Sequence, residues 1–334
     1  MWRYSLSRVI WMIPTLVGIV TITFFLTRLR PDPLSQSAMG PEGLQENSAT
    51  EQYLSELRAF YGYDLPLHQQ YLKQWSNLLT LDLGTSRVDQ RPVWEKLKEA
   101  MPYTITLNLI TIFLVYIISI PLGIYQGIHD NEANEKFITL ILYMLYSLPS
   151  FWVALMLLKY FSGGDYFDIL PLGGWSSDDA ELLDPWNRFL DLLWHLFLPV
   201  LVSVYGSFAF LSRFIKSSFL EALKSDYIRT ARAKGLSERR TIYFHALRNS
   251  LIPLITLMAG LLPGLFGGSV IIESIFSIPG MGKLAYDSIY ANDDPIILAI
   301  VTFSAILTML GILITDLLYT LVDPRINFEK NELA

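Results

Sequence analysis

With 334 residues, 52% hydrophobic and only 17% charged, the chain is too apolar for an ordinary soluble domain, where about a quarter of residues carry charge. It has no cysteine and four scattered histidines without HExxH or HxH spacing, which excludes disulfides and thiolate metal sites and leaves no metal cluster. The formal net charge of −6 says little until its distribution is known.

In chain order, Arg3 and Arg8 precede an apolar run from Val9 to Thr27. This run is longer than a signal-peptide core and ends in LTRLRPDP without a small-residue cleavage site, so it reads as a retained span. A helix needs about 20 apolar residues to cross the hydrocarbon. Six segments qualify: 9–28, 103–126, 137–160, 192–213, 251–272 and 296–321. The fourth is the least clean, since it contains His195, Pro199 and Ser203.

Between the first two spans lies a long segment, 31–102. It begins loosely with PDPLSQSAMGPEGLQENS. It then takes helical spacing at Tyr53, Leu54, Leu57 and Phe60, with Thr50 or Ser48 placed to cap and Gly62 to end that helix. LPLHQQYLKQWSNLLTLDLGTS reads as a second short helix followed by a turn. The segment is expected to be a small helical cap or a docking surface for a substrate-delivery partner.

Pro14, Pro121, Pro149, Pro199, Pro253 and Pro263 fall in the first five spans, as packing kinks or as hinges. Gly260, Gly264, Gly267 and Gly268 in the fifth would allow close helix approach. Asp316 lies inside the last span near its end and is a possible intramembrane polar site. Lys159 sits at a span end, and Glu273 is placed to face an external vestibule.

Loop charge orients the chain. The connection 213–250 carries Arg213, Lys216, Lys224, Arg229, Arg232, Lys234, Arg239, Arg240 and Arg248 against Glu221, Asp226 and Glu238. The connection before it is acidic, and so is the one after. Cytoplasmic loops are rich in Lys and Arg, so 213–250 is expected inside, with both termini inside and 31–102 outside. The short loop GIHDNEANEK disagrees: it belongs inside yet is acidic.

Within the basic connection, Asp226 stands at an N-cap position before YIRTARAK. Arg232 and Lys234 fall near the negative end of that helix. Gly235 is placed to close it in a left-handed conformation, and Ser237 with Glu238 begins another helix. Positive-inside charge and attraction to anionic membrane lipid account for the cations alone. The ordered helix–glycine–helix pattern calls for a protein that grips it.

The stretch resembles the cytoplasmic coupling loop of ABC importer permeases, and more narrowly the dipeptide/oligopeptide/nickel branch. R-T-A-R-A-K-G-L and H-A-L-R-N-S-L-I-P carry the likeness. Against the general pattern of E-A-A, three residues, Gly, nine residues and I-x-L-P, aligned on Gly235, Ala231 and Leu247 match. YGYDLPLHQQYLKQW, DLGTS, PSFWVALML, IESIFSIPGMGKLAYDSI and LYTLVDPRI extend the resemblance over nearly the whole chain.

The resemblance implies an all-α membrane protein of about six spans with the type I ABC importer permease fold. Its parts would be the N-terminal end with the first span (1–30), an external segment (31–102), the permease domain (103–321) with coupling loop 214–250, and a cytoplasmic tail (322–334). It implies an ATPase-coupling set of Arg229, Thr230, Ala231, Arg232, Ala233, Lys234, Gly235, Leu236, His245, Leu247 and Arg248. The implied partners are a second homologous permease, two cytoplasmic ABC ATPases, an external solute-binding protein and a peptide substrate, in a bacterial inner membrane. No nucleic-acid partner is expected.

No G-x-x-x-x-G-K-[ST] is present; PGMGKLA at 279–285 has leucine after Lys283 and could not cradle phosphates. ATP and magnesium are therefore expected on the partner ATPases, with no cofactor here. No Ser/His/Asp or paired-carboxylate arrangement suggests an enzyme. The rival from another class is an ion-gradient-driven secondary transporter, which would need a relay of intramembrane acids or histidines; a non-transporting membrane scaffold is a second.

Overall fold

The computed structural model describes residues 2–29, 55–56, 64–163, 166–251, 254–257 and 260–322. The described residues form α1 (Trp2–Arg28), α2 (Leu67–Leu79), α3 (Val93–Ile128), α4 (Ala133–Ser147), α5 (Ser150–Phe161), α6 (Pro185–Leu223) and α7 (Asp226–Ala233). These are followed by α8 (Glu238–Arg240), α9 (Leu247–Ser250), α10 (Leu254–Leu257), α11 (Leu261–Gly267), α12 (Val270–Ile275), α13 (Met281–Tyr290) and α14 (Asp294–Val322). Thr241–Ala246 is π-helical and Ala180–Leu182 a 3-10 turn. Among the described residues no strand forms beyond a lone Thr85–Pro92 bridge. The fold is all-α.

Among the described residues four helices are long and apolar enough to cross a membrane, α1, α3, α6 and α14, and the bent α4–α5 pair makes a fifth if it is one span. At 1.5 Å per residue, α3 and α6 run about 54 and 58 Å, well past the roughly 30 Å of hydrocarbon.

The third apolar segment is not one straight helix. α4 and α5 are bent by 90° at Leu148, which is extended at φ −80, ψ 126, as a residue before proline tends to be. The fifth is not continuous either. α11 ends where Gly268 takes φ 67, ψ 169, and α12 restarts behind Ser269, whose hydroxyl accepts from Ile272 N at 3.3 Å. The helix expected around residues 53–60 lies outside the described residues; the second short helix is α2.

The chain divides into two compact units, Met1–Glu99 with Ala285–Ile306, and Ala100–Leu284 with Leu307–Ala334. In the first, Tyr71 of α2 donates to or accepts from Thr21 of α1 at 2.7 Å, and its ring lies 5.4 Å from that of Phe24. The DLGTS turn follows α2, with Gly84 at φ 73. Ser86 Oγ donates to Asp293 at 2.5 Å, Arg87 N donates to the same carboxylate at 3.1 Å, and the Arg87 guanidinium meets Asp294 at 2.8 Å. Three consecutive polar contacts thus hold this turn to the start of α14. The Lys96 ammonium hydrogen-bonds Asp89 and holds its carboxyl down to about 2.

In the second unit α3 and α6 touch backbone to side chain. A Cβ on Gly123 would lie 2.6 Å from Ser212 O, and one on Gly127 2.5 Å from the Phe219 ring. This is the small-residue close approach expected of the fifth span. At Gly260, Gly264 and Gly267 a Cβ would instead meet nothing within 4 Å. Around the α3–α6 seam Leu107, Ala154, Ile215, Phe219 and Ile228 form one buried cluster, while Phe113, Phe137 and Phe197 stay exposed, as helices facing lipid require.

Candidate functional site

α7 forms because its buried side, Ile228 and Ala231, recurs at i,i+3. Ile228 is 0% exposed, so the helix is seated on the bundle rather than tethered to it. Tyr227, Arg229, Thr230, Arg232, Ala233 and Lys234 all face outward. The N-cap position belongs to Ser225, not to Asp226 as expected, and no side chain caps it. Ser225 Oγ instead donates to Ala222 O. Asp226 stands in the first turn, where its charge suits the helix dipole.

At the other end Gly235 N donates to Arg232 O at 2.9 Å and Leu236 N to Ala231 O at 3.3 Å. These are the two bonds of a Schellman closure, which puts its glycine in the left-handed region; Gly235 has φ 78. Across this turn the Arg232 fork donates to both oxygens of Glu238, at 3.1 and 2.5 Å. The pairing holds the Glu238 carboxyl below the usual carboxylate range and raises the Arg232 guanidinium. Ser237 occupies the next N-cap position without a capping bond.

The π-helical turn then buries Thr241 and Ala246 and exposes Tyr243 and Phe244, the latter 72% exposed. The eleven residues named for coupling therefore divide by direction. Ala231 is buried, and Leu236, His245 and Leu247 are half-buried; these seat the segment. Arg229, Thr230, Arg232, Ala233, Lys234, Gly235 and Arg248 are exposed. Tyr243 and Phe244 were not singled out from the sequence, although two adjacent aromatics inside a basic run were a visible signal.

A polar cluster ties α6 to α4 and to the turn before it. Lys216 Nζ of α6 lies 2.8 Å from both Asp130 and Glu135. Thr139 donates to Glu135 at 2.5 Å and Gln126 to Thr139 at 3.0 Å. Glu135 is 4% exposed. Two of the three acids that made GIHDNEANEK anomalous are thus partners of one lysine from the basic connection. Lys216→Met should strand Glu135 and lower stability by about 3 kcal/mol, as breaking a buried pair does. Thermal melting in detergent checks this, with Lys216→Met/Glu135→Gln recovering most of the loss.

Glu273 does not face a vestibule. It is 0% exposed and accepts from Thr104 Oγ1 at 2.9 Å, Ser269 N at 3.2 Å, Gly282 N at 2.7 Å and Lys283 N at 3.0 Å. Thr104 Oγ1 in turn accepts from Met281 N at 2.8 Å. Asp316 is half-buried in α14, six residues before the helix ends at Val322. Among the described residues no cluster of metal-binding side chains is present.

α3, the α4–α5 bend, α6 and α12 also line an open cavity of about 720 Å³. Its polar lining includes Asn108, Thr111, Ser203 and Ser207, and no charged side chain is among its described lining.

Residues 119–328 match the family of binding-protein-dependent transport system inner membrane components. The chain belongs to that family. The matched region takes in the bent α4–α5 pair, Lys216, the α7 surface and Glu273 with its main-chain donors, but not Thr104. Three curated relatives extend the likeness to the full length. The oligopeptide transport system permease protein AppB of Bacillus subtilis (strain 168) is 36% identical over 97% of this chain and 99% of its own. The inner membrane ABC transporter permease protein YejB of Escherichia coli O157:H7 is 32% identical over 98% and 100%. The dipeptide transport system permease protein DppB of Escherichia coli (strain K12) is 32% identical over 99% and 100%. For a member of this family, the ion-gradient-driven secondary transporter has no support.

Proposed function

We propose that this chain is one of two permease subunits of an ATP-driven ABC importer for short peptides. The observation that carries the reading is the outward face of α7. A rigid basic helix, closed by Gly235 and seated by Ile228 and Ala231, gives an ATPase something to push. A flexible basic loop would bind lipid equally well but transmit no movement.

In this reading Arg229, Thr230, Arg232, Ala233, Lys234 and Arg248 contact the ATPase. Ala231, Leu236, His245 and Leu247 pass its movement to α6 and the helices behind it. ATP and magnesium are held by two partner ATPase subunits, whose closure would pull on the coupling segment. The termini and 214–250 lie in the cytoplasm of a bacterial cell. Residues 31–102 lie outside the membrane, where a solute-binding protein delivers the peptide. Residues 103–321 form half of the pathway with a homologous permease, 1–30 supply the first span, and 322–334 are a cytoplasmic tail. Asp316 is kept as a polar site near the cytoplasmic end of the last span. The peptide class follows the relatives named for oligopeptide and dipeptide transport.

Mild-detergent purification of the tagged chain with mass spectrometry of stoichiometric partners tests this. Two P-loop ATPases and a second permease should co-purify. A lone chain, under conditions that preserve a known ABC complex, would overturn the proposal.

A further inference from the structure

We propose that the α3–α6 wall of the 720 Å³ cavity is an acceptor-only surface that takes the side-chain ammonium group of a lysine-bearing transported peptide. The inference rests on the peptide-importer reading and adds to it which class of substrate side chain this subunit handles.

A hydroxyl has one hydrogen to donate and two lone pairs to accept with; a side-chain amide donates through nitrogen and accepts through oxygen. Along the α3–α6 wall the hydrogens are already committed to main-chain carbonyls. Thr111 donates to Leu107 O at 2.8 Å, Ser203 to Pro199 O at 2.7 Å and Ser207 to Ser203 O at 3.2 Å. Tyr205 donates to Leu148 O at 2.8 Å, where the α4–α5 bend frees that carbonyl. The Asn108 amide nitrogen donates to Gly264 O at 2.8 Å and Leu265 O at 3.3 Å, just ahead of the break between α11 and α12.

What these groups retain toward the cavity is lone pairs. Ser203 and Ser207 stand one turn apart on α6, and Asn108 and Thr111 one turn apart on α3, so each pair shares a face.

No lysine, arginine or histidine lines the described cavity to meet a carboxylate, and Val115, Val202 and Ile272 supply apolar surface between the oxygens. An anion set against the α3–α6 wall loses water without gaining donors there, which is costly. An ammonium group carries three donors and no acceptor and finds partners at every hydroxyl. Tyr146 and Phe210 add aromatic faces to the same lining, and these attract cations. The breaks in the third and fifth segments therefore have a chemical consequence: they expose the carbonyls that take up the Tyr205 hydroxyl and the Asn108 amide.

The test uses the complete transporter with its binding protein in proteoliposomes, at saturating lysyl-alanine or glutamyl-alanine, reading maximal ATP-driven uptake. Saturation keeps the selectivity of the delivery protein out of the ratio. Ser203→Ala/Ser207→Ala should lower lysyl-alanine uptake relative to glutamyl-alanine by about tenfold, as expected for loss of one hydrogen bond to a charged group. Ser207→Thr, which keeps the acceptor, should retain the ratio.

An equal loss for both dipeptides, or an unchanged ratio in the double variant, would overturn the assignment. Absence of ATP-driven uptake of either dipeptide by the unmodified complex would overturn the peptide-importer reading, and the inference with it.

Discussion

Glu273→Ala is expected to remove the folded permease from detergent extracts. The carboxylate is fully buried and is the shared acceptor for three main-chain N–H groups and the Thr104 hydroxyl. Truncation orphans all four donors, each at a cost of about 1–3 kcal/mol. The total, about 5 kcal/mol or more, is a large share of the roughly 5–15 kcal/mol that holds a domain together. Glu273→Gln keeps one acceptor oxygen but turns an amide hydrogen pair toward donors, so it should fall between. Gly280→Ala should act on the same cluster from outside, because its Cβ would lie 2.5 Å from Glu273 Oε2 and 2.5 Å from Thr104 Oγ1. Thermal unfolding followed by fluorescence-detected gel filtration measures all three. Melting of Glu273→Ala at the parent temperature would remove the cluster from the list of structural supports.

Gly235→Val should uncouple ATP hydrolysis from uptake while leaving the protein in the membrane. At φ 78 a β-branched residue is strained by about 1–2 kcal/mol or more. A Cβ there meets nothing within 4 Å, so the penalty is conformational and not steric. Its relief opens the Schellman closure and frays the end of α7. That end carries Arg232 and Lys234. Asparagine tolerates the left-handed region, so Gly235→Asn should behave nearly as the parent. The measurement is ATP hydrolysed per peptide imported, with a rise of about tenfold expected for valine if the last turn of α7 is lost. Normal coupling in Gly235→Val would show that the turn does not transmit force.

How much of this was readable beforehand depended on distance along the chain. The apolar lengths of α1, α3, α6 and α14, the helix at 67–79 and the glycine-closed helix at 226–233 all follow from spacing within a dozen residues, and the structure has them. The helix expected near residues 53–60 lies outside the described residues. Pro149 was legible as a kink, but its 90° angle was not, since the residue before proline sets only the direction of departure. Of the four glycines expected to allow close approach in the fifth segment, Gly268 does so, a Cβ there falling 2.5 Å from Gly282 N, while Gly260, Gly264 and Gly267 face open space. Only Gly268 uses its freedom, while Gly123 and Gly127 make the close α3–α6 contact.

Sequence by itself determined that the chain is a helical membrane protein with an organised basic segment, because periodicity, hydropathy and capping act between near neighbours. Tertiary structure alone decided which coupling residues face out and which way the cavity hydroxyls donate. It also decided that Lys216 answers the acids of a distant loop, and that Glu273 meets a threonine 169 positions away. A buried charge or donor must find its partner in space, and along the chain nothing marks where that partner will stand.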